Sequence, residues 1–468
     1  MKLSSITAHD VVGSLRFDAK FHLSRQNPLL LQQNSSRWLT TTVGETFGST
    51  TVWMPNRFAR VWAASDEFGK PLLVPYDAFR YMPWSRSYLS KSQVVEYSQA
   101  EVERGTILIV RSGRNCGPVT MVDSFVAKFA MSDDMLRLTG LPLSDDAFYL
   151  YAFLATPTGQ ETVRRDRNGS VIDHLGPAQI AALRYPVVEG TLRSQVVKLF
   201  REGFEKREKA RLLLATTQQA YLEHFGLDRV EAAFNADAVT RRFTVTRADL
   251  VDRLDAEPRA PRYAAWREKI GAAGGCVLSD IATVFKPASR YKTNYVDDPQ
   301  YGVAMMNGRQ ISQYRAIALR WMSLSAFKNP DQFRLQPGTT LLTADGRAEE
   351  NLADCALVTA DRAGWGASGH VHRVTPCAGI NSGLVYLACS CAPVQAQLKA
   401  LATGSVVDAL SDTDVASIMV PFDDSPAALK LGKAAELAWQ HFADAATAEE
   451  MAIAALEAEF RGDLQRSG

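Results

Sequence analysis

No apolar run in this 468-residue chain is long enough to cross a bilayer. Met1-Lys2-Leu3-Ser4-Ser5 does not open the continuous apolar segment of a secretory signal, so none is expected. Charge of one sign is lacking too: 52 Lys and Arg stand against 51 Asp and Glu, a net charge of +1. That balance argues against indiscriminate coating of nucleic acid and leaves room for local basic faces. Cysteine is scarce, six in all, and Cys389 and Cys391 lie one residue apart, the wrong spacing for a C-x-x-C knuckle. A cytoplasmic protein with reduced thiols is the expectation. The chain has no G-x-x-x-x-G-K-[ST], so ATP-driven work is not expected of it. What remains is an ordinary globular composition, 46% hydrophobic and 22% charged, with room for two to four domains.

The chain repeats itself. Arg16-Phe17-Asp18-Ala19-Lys20 returns as Arg253-Leu254-Asp255-Ala256-Glu257, and Gly169-Ser170-Val171-Ile172-Asp173-His174-Leu175 returns as Gly404-Ser405-Val406-Val407-Asp408-Ala409-Leu410. A period near 235 residues is far too long for a solenoid repeat and marks a duplicated domain. In each half a short β-branched run follows a glycine, Thr106 to Val110 after Gly105 and Thr339 to Thr343 after Gly338. Both read as buried strands. Modest helices are expected near 147–165 and 383–402, and a short one over Pro177 to Leu183.

After Pro186 and Pro421 both halves turn strongly helical. Nothing breaks a helix from Leu192 to about Phe225, where Leu192, Leu199, Leu213 and Ala220 keep heptad spacing beside Val196, Gly203, Ala210 and Thr217. In the second half Leu431, Ala438, Ala445 and Ala452 form one row, flanked by Ala435, Phe442 and Leu456. About 34 residues of helix span roughly 50 Å, and small residues along the seam let two axes approach closely. Leu199, Ala210, Leu213, Ala438, Phe442 and Ala445 are the expected seam. The alternative is that each helix covers its own β-rich domain.

In their order these pieces resemble the specificity subunit of a type I restriction–modification enzyme. They are Arg-x-Asp-Ala, then Gly105-Thr106-Ile107-Leu108-Ile109-Val110-Arg111-Ser112-Gly113, then Gly169 to Leu175, a short helix, a Pro-containing strand and a long helix. The resemblance covers essentially the whole chain. It implies an α+β architecture in which two β-rich target recognition domains, related by a pseudo-twofold axis, are separated by an antiparallel pair of long helices. The domains would be residues 1–190 and 231–421, with spacer helices at 191–230 and 422–468. The implied function is non-enzymatic recognition of a bipartite, asymmetric site in double-stranded DNA. The implied partners are two DNA adenine methyltransferase subunits, and the resemblance allows a motor–nuclease subunit as well. S-adenosylmethionine, ATP and Mg²⁺ would sit on those partners, with no cofactor or metal in this chain. Two modules about 50 Å apart on such a rod would be separated by about 15 base pairs, a spacing bipartite readers use.

Base edges are read by directed donors and acceptors on loops that reach a groove. The first half offers Arg57, Arg60, Arg80, Tyr81 and Arg86, then Arg111, Ser112, Arg114 and Asn115 beyond the central strand, and Asn168 and Ser170 in the Gly-Ser loop. The second half offers Arg290, Tyr291, Lys292, Asn307, Arg309, Gln310 and Arg315, with Arg347 and Ser405 standing where Arg114 and Ser170 stand in the first copy. For any single arginine the alternative is a solvated surface charge. The copies diverge where Arg111-Ser112-Gly113 becomes Ala344-Asp345-Gly346 with Glu349-Glu350 behind it, acids that would repel phosphate.

Other motifs give weaker readings. Gly364-Trp365-Gly366-Ala367-Ser368-Gly369 fits G-x-G-x-x-G but leads into a strand, not from a strand into a helix. His370 and His372 would share one strand face without a nearby Cys or carboxylate set. Ser112 and Ser170 show no His or Asp partner at a suggestive position. An Asn/Asp-Pro-Pro-aromatic loop of the DNA amino-methyltransferase kind is also absent. Two functional alternatives stay open: a metal-dependent DNA nuclease using Asp18, and a protein-binding scaffold in a phage-defence complex.

Overall fold

The computed structural model describes residue 8 and residues 38–85, 87–165, 167, 173–228, 243–247, 254–288, 290–404 and 407–462. Arg16 to Lys20, Arg86, Asn168, Gly169 to Ile172, Arg253 and Ser405 lie outside the described residues. Two compact units emerge: Met1–Glu208 together with Asp444–Gly468, and Lys209–Ala443. The chain is mixed α+β, with several small sheets and two long helices. No described helix is long and apolar enough to cross a membrane.

Unit 1 contains β1 (Leu39–Thr42), β2 (Val52–Trp53), β3 (Trp62–Ala63), β4 (Gly69–Leu73), β5 (Tyr88–Ser90), β6 (Ile107–Val110), β7 (Val119–Met121), β8 (Ala130–Met131), β9 (Met135–Leu138) and β10 (Arg184–Val187). They form a sheet of order β2-β9-β6-β7, a second of order β3-β5-β4-β8, and the pair β1-β10. Unit 2 contains β11 (Cys276–Val277), β12 (Ala282–Phe285), β13 (Tyr295–Val296), β14 (Val303–Met306), β15 (Arg320–Met322), β16 (Thr340–Thr343), β17 (Asp345–Gly346), β18 (Cys355–Leu357), β19 (Gly366–Ala367), β20 (Val371–Pro376), β21 (Asp408–Ala409) and β22 (Met419–Val420). Its sheets run β12-β20-β16-β18 and β13-β15-β14-β19, with pairs β11-β22 and β17-β21. The order of both four-stranded sheets and of the β1-β10 pair repeats, while β17-β21 answers to a single bridge between Ser112 and His174. Even the parallel pairing of β4 with β8 returns, as β14 with β19.

A buried arginine ties the two sheets together in each unit. Arg137 on β9 donates Nη2 to the Met131 carbonyl of β8 at 2.8 Å, and Arg373 on β20 donates to Ala367 of β19. Burial pushes both guanidinium pKa values down to about 10. These arginines are held by backbone acceptors and are unavailable to a ligand.

The helices are α1 (Val43–Phe47), α2 (Val94–Ala100), α3 (Asp145–Ala155), α4 (Pro157–Arg165), α5 (Pro177–Ala181), α6 (Gly190–His224), α7 (Pro261–Ala272), α8 (Leu278–Ile281), α9 (Ser382–Ser390), α10 (Ala392–Ala400), α11 (Asp412–Ala416) and α12 (Pro426–Arg461). The modest helices expected near 147–165 and 383–402 are present, two in each place. Pro157 begins the second in unit 1, and Pro393 stands in the first turn of its equivalent, as fits a residue without an N–H to donate. α3 and α9 are capped by Ser144 and Asn381 and are apolar nearly all round, so they fill the centre of their units.

The long helices bury a 4–3 alternation. On α6 it runs Val196, Phe200, Gly203, Arg207, Ala210, Leu214, Thr217 and Tyr221. On α12 it includes Ala435, Ala438, Phe442, Ala445, Glu449, Ala452 and Leu456. Of the expected seam, Ala210, Ala438, Phe442 and Ala445 lie on the buried faces, while Leu199 and Leu213 are half-buried on a flank. The leucine row misleads because two of the truly buried positions of α6 carry arginines, Arg207 and Arg211.

Within unit 1, a Cβ on Gly203 would stand 2.9 Å from Glu449 Cγ and 3.1 Å from the Ala445 carbonyl, so the backbone approach there requires glycine. Arg207 and Glu449 form a buried ion pair beside it. Glu457 accepts from the Thr158 N–H at 2.6 Å and from its hydroxyl at 3.1 Å, capping α4. Val196, Val197, Phe200, Phe204, Ala452, Leu456 and Phe460 join the apolar core around α3. Within unit 2, Tyr221 donates to the Pro421 carbonyl, and Glu436 accepts from Asn381 Nδ2 (3.0 Å), Ser382 Oγ (2.6 Å) and Gly383 N (3.3 Å) at the start of α9.

Candidate nucleic-acid interface

In unit 1 the loop leaving β6 carries four of the expected residues. Ser112 Oγ donates to Asp134 Oδ1 at 2.5 Å and lies 2.7 Å from His174 Nδ1. A hydroxyl has one proton, and with that proton on Asp134 the histidine must donate from Nδ1. Ser112 therefore has Asp and His neighbours, 22 and 62 residues away, at positions that no sequence spacing marked. A nucleophilic triad needs the imidazole between acid and hydroxyl, free to take the proton, and here the carboxylate receives the serine directly. The cluster closes the loop: Gly113 N donates to Asp173 O and Leu175 N to Arg111 O, both at 3.0 Å.

Arg111 is partly engaged by Asp134, 3.5 Å from its Nη1, whereas Arg114 is exposed and Asn115 half-buried. Arg57 is exposed, and Arg60 is held by Asp133. Arg80 is half-buried with its guanidinium 5.5 Å from the Trp84 ring centre. Tyr81 is buried in the core, which corrects its expected place on a reading loop. Among the described residues, Arg57 and Arg114 are the expected arginines of this unit most open to a phosphate or a base edge.

Unit 2 presents Arg290 and Lys292 openly, but Tyr291 packs between Phe327 and Phe333, with ring centres 5.4 and 5.0 Å away. Burial raises its hydroxyl pKa. Gln310 also departs from expectation, because both ends of its amide hold the backbone. Its Oε1 accepts from Asn307 N at 3.0 Å and its Nε2 donates to Ile317 O at 2.8 Å. Asn307 is exposed, with its Oδ1 accepting from Arg309 N at 3.2 Å, and Arg315 is half-buried.

The acidic stretch of unit 2 has a specific use. Glu350 lies 3.5 Å from Arg309 Nη2 and 3.4 Å from Arg347 Nη1, so one carboxylate partly neutralises two exposed arginines. At the strand end Asp345 pairs with His370. His372 is fully buried, with Nδ1 2.9 Å from Asp412 Oδ1 and Nε2 3.2 Å from the Leu410 carbonyl. Burial, helped by the charge of Lys286, pushes its pKa down to about 4. The two histidines thus serve different carboxylates rather than one ligand face. Among the described residues no group of three or more His, Cys, Asp or Glu is placed to hold a metal ion.

No family model matches the chain, and no curated protein does. Among solved structures it is similar to the type I restriction–modification S subunit from M. genitalium, at 13% identity, covering 90% of this chain and 94% of that one, with a TM-score of 0.33. It is similar also to the HsdS subunit from Thermoanaerobacter tengcongensis, at 12% identity over 92% of this chain and 97% of that one, TM-score 0.26. A chain from a structural study of complex assembly and conformational transition in the type I R-M system matches at 12% identity, 91% and 98% coverage, and TM-score 0.26. With all three scores below 0.5, the architecture rests on the strand order described above.

Proposed function

We propose that the chain is a non-catalytic, sequence-specific DNA-binding subunit that recognises a bipartite, asymmetric site and directs a methyltransferase to it. The observation that carries this reading is one topology built twice with different polar loops on it: Arg111-Ser112-Gly113-Arg114 on one copy, Ala344-Asp345-Gly346-Arg347 on the other. A repeated frame with unlike exposed donors suits two unlike half-sites. In this reading each β-rich region is a target recognition domain, and α6 and α12 pair antiparallel to space the two about a pseudo-twofold axis. The buried 4–3 rows and close glycine approach on those helices support that role. Two methyltransferase subunits would dock on the assembly and carry S-adenosylmethionine. A motor subunit, where one exists, would carry ATP and Mg²⁺ in the cytoplasm, as part of phage defence.

The test is selection from labelled duplex libraries with the chain alone and with a co-expressed methyltransferase partner. Enrichment of two fixed half-sites at constant separation is expected, with affinity falling steeply as salt rises. If no bipartite site is enriched in either case, the reading is wrong. Metal-dependent cleavage of DNA by the purified chain would favour the nuclease alternative instead.

A further inference from the structure

The second sheet of each unit exposes aromatic side chains at repeat-equivalent positions. Trp62 on β3 and Phe68 before β4 are 50% and 57% exposed, and Tyr295 on β13 and Tyr301 before β14 are 42% and 67% exposed. These are the same positions. Trp62 pairs across to Leu89 as Tyr295 pairs to Met322, and Lys70 faces Leu89 as Val303 faces Met322. A glycine fixes the aromatic before it in both copies. A Cβ on Gly69 would stand 2.8 Å from Ala63 Cβ, and one on Gly302 would stand 2.6 Å from Val296 Cγ2. Cross-strand pairing puts Trp62 on the sheet face of the fully buried Leu89, and Tyr295 on that of the fully buried Met322, so each ring stands on an end strand at the open edge of a covered face.

An exposed arginine recurs with the rings, Arg57 in one unit and Arg290 in the other, each five residues before the first aromatic. Other neighbours do not recur. Val61 is Asn294 in the second copy, and Asp66-Glu67 is Pro299-Gln300. Two large rings in each unit thus stay partly in water, at equivalent places, instead of being buried. In unit 2 the Arg320 guanidinium stacks on Tyr295, 3.3 Å from the ring centre, adding positive charge to the flat surface. Exposed rings with an exposed guanidinium five residues upstream suit wedging at base steps and contact with the flanking phosphates.

We infer that these aromatic–arginine surfaces, Arg57/Trp62/Phe68 and Arg290/Tyr295/Tyr301, are DNA contacts, one for each half-site. The inference rests on the DNA-recognition reading above and adds a surface to its reading loops. The rings contribute salt-insensitive stacking or wedging against the DNA, and the arginines contribute phosphate contacts.

The test uses the full chain with its methyltransferase partner and duplexes bearing the selected site with either half scrambled. Trp62→Ala/Phe68→Ala should weaken binding roughly tenfold or more on duplexes retaining one half-site while leaving the slope of log affinity against log salt unchanged. Tyr295→Ala/Tyr301→Ala should do the same for the other half. Arg57→Ala should instead lower that slope by about 0.9, and Trp62→Phe should retain most of the affinity, separating ring loss from misfolding. If the wild type selects a bipartite site and both aromatic double variants bind it unchanged, the inference is overturned while the functional reading stands. Unchanged DNA binding with loss of methyltransferase capture would overturn it too, by marking a protein contact. A wild type that selects no site fails the functional reading itself.

Discussion

At repeat-equivalent positions of the long helices, unit 1 holds Arg207 against Glu449 and unit 2 holds Phe442 and Leu214, all four buried. The corner after the central strand differs in the same manner. Unit 1 closes it with Ser112, Asp134 and His174, whereas unit 2 pairs Asp345 with His370. What the two units share is strand order, close-approach glycines, capped central helices and the arginine tying one sheet to the other. What they do not share is the polar chemistry filling equivalent places. The frame is thus specified by backbone-level requirements and apolar period, and individual polar positions vary as long as each group finds a partner.

The helix pair offers the largest lever on that comparison. Removing one partner, as Arg207→Ala or Glu449→Ala, should cost unit 1 about 3–5 kcal/mol by breaking a buried ion pair, read as a lowered denaturation midpoint. The double change Arg207→Phe/Glu449→Leu installs the chemistry of unit 2 and should recover stability to near or above the parent. A double variant no better than either single one would show that the two seams are not interchangeable.

Acid sensitivity should separate the units next. His372 has a pKa lowered to about 4 in the folded chain, against 6.5 when free. The unfolded chain takes up the proton first, so this stability is complete above pH 6.5 and is lost as pH falls towards 4. Leu136 occupies the equivalent position of unit 1. His372→Leu should flatten the stability profile of unit 2 between those limits, measured by denaturant titration at several pH values. An unchanged slope would place the titration elsewhere.

The smallest effect concerns the arginines sharing Glu350. Glu350→Ala frees Arg309 and Arg347 and should steepen the salt dependence of DNA binding, by up to about 2 in slope if both reach phosphates. A slope that stays put would mean that this loop faces away from DNA.

Much of this frame was legible in the sequence. The runs ending at Val110 and Thr343 announced their strands because four consecutive apolar or β-branched residues leave few alternatives, and the Pro-marked starts of the long helices were equally plain. Two-residue strands such as β3 and β8 have no period to read; only their pairing defines them. Leu199 and Leu213 were read into the helix seam, where they are only half-buried, because a buried Arg207 looks like a surface charge until Glu449, 242 positions later, is brought against it. Gln310 and Tyr81 looked like readers, since residue type says nothing about whether a loop turns a side chain inward. Ser112 met its partners across 22 and 62 residues of chain. The aromatic pairs recur in the sequence as rings at a fixed offset, but residue type alone does not distinguish an exposed ring from a core one.

The core of unit 1 takes Ala452, Leu456 and Phe460 from beyond residue 443, so the whole of Lys209–Ala443 lies between its two pieces. A ribosome adding about 5–20 residues per second would need roughly 10–50 s to traverse that interval. Throughout it the nascent first unit shows an unfilled apolar groove while the second, contiguous in sequence, is still being made. Unit 2 can close first although it is encoded later. Order of synthesis and order of completion are therefore opposite in this chain, and a chaperone's interest in it should centre on the waiting groove of the unit that emerged earlier.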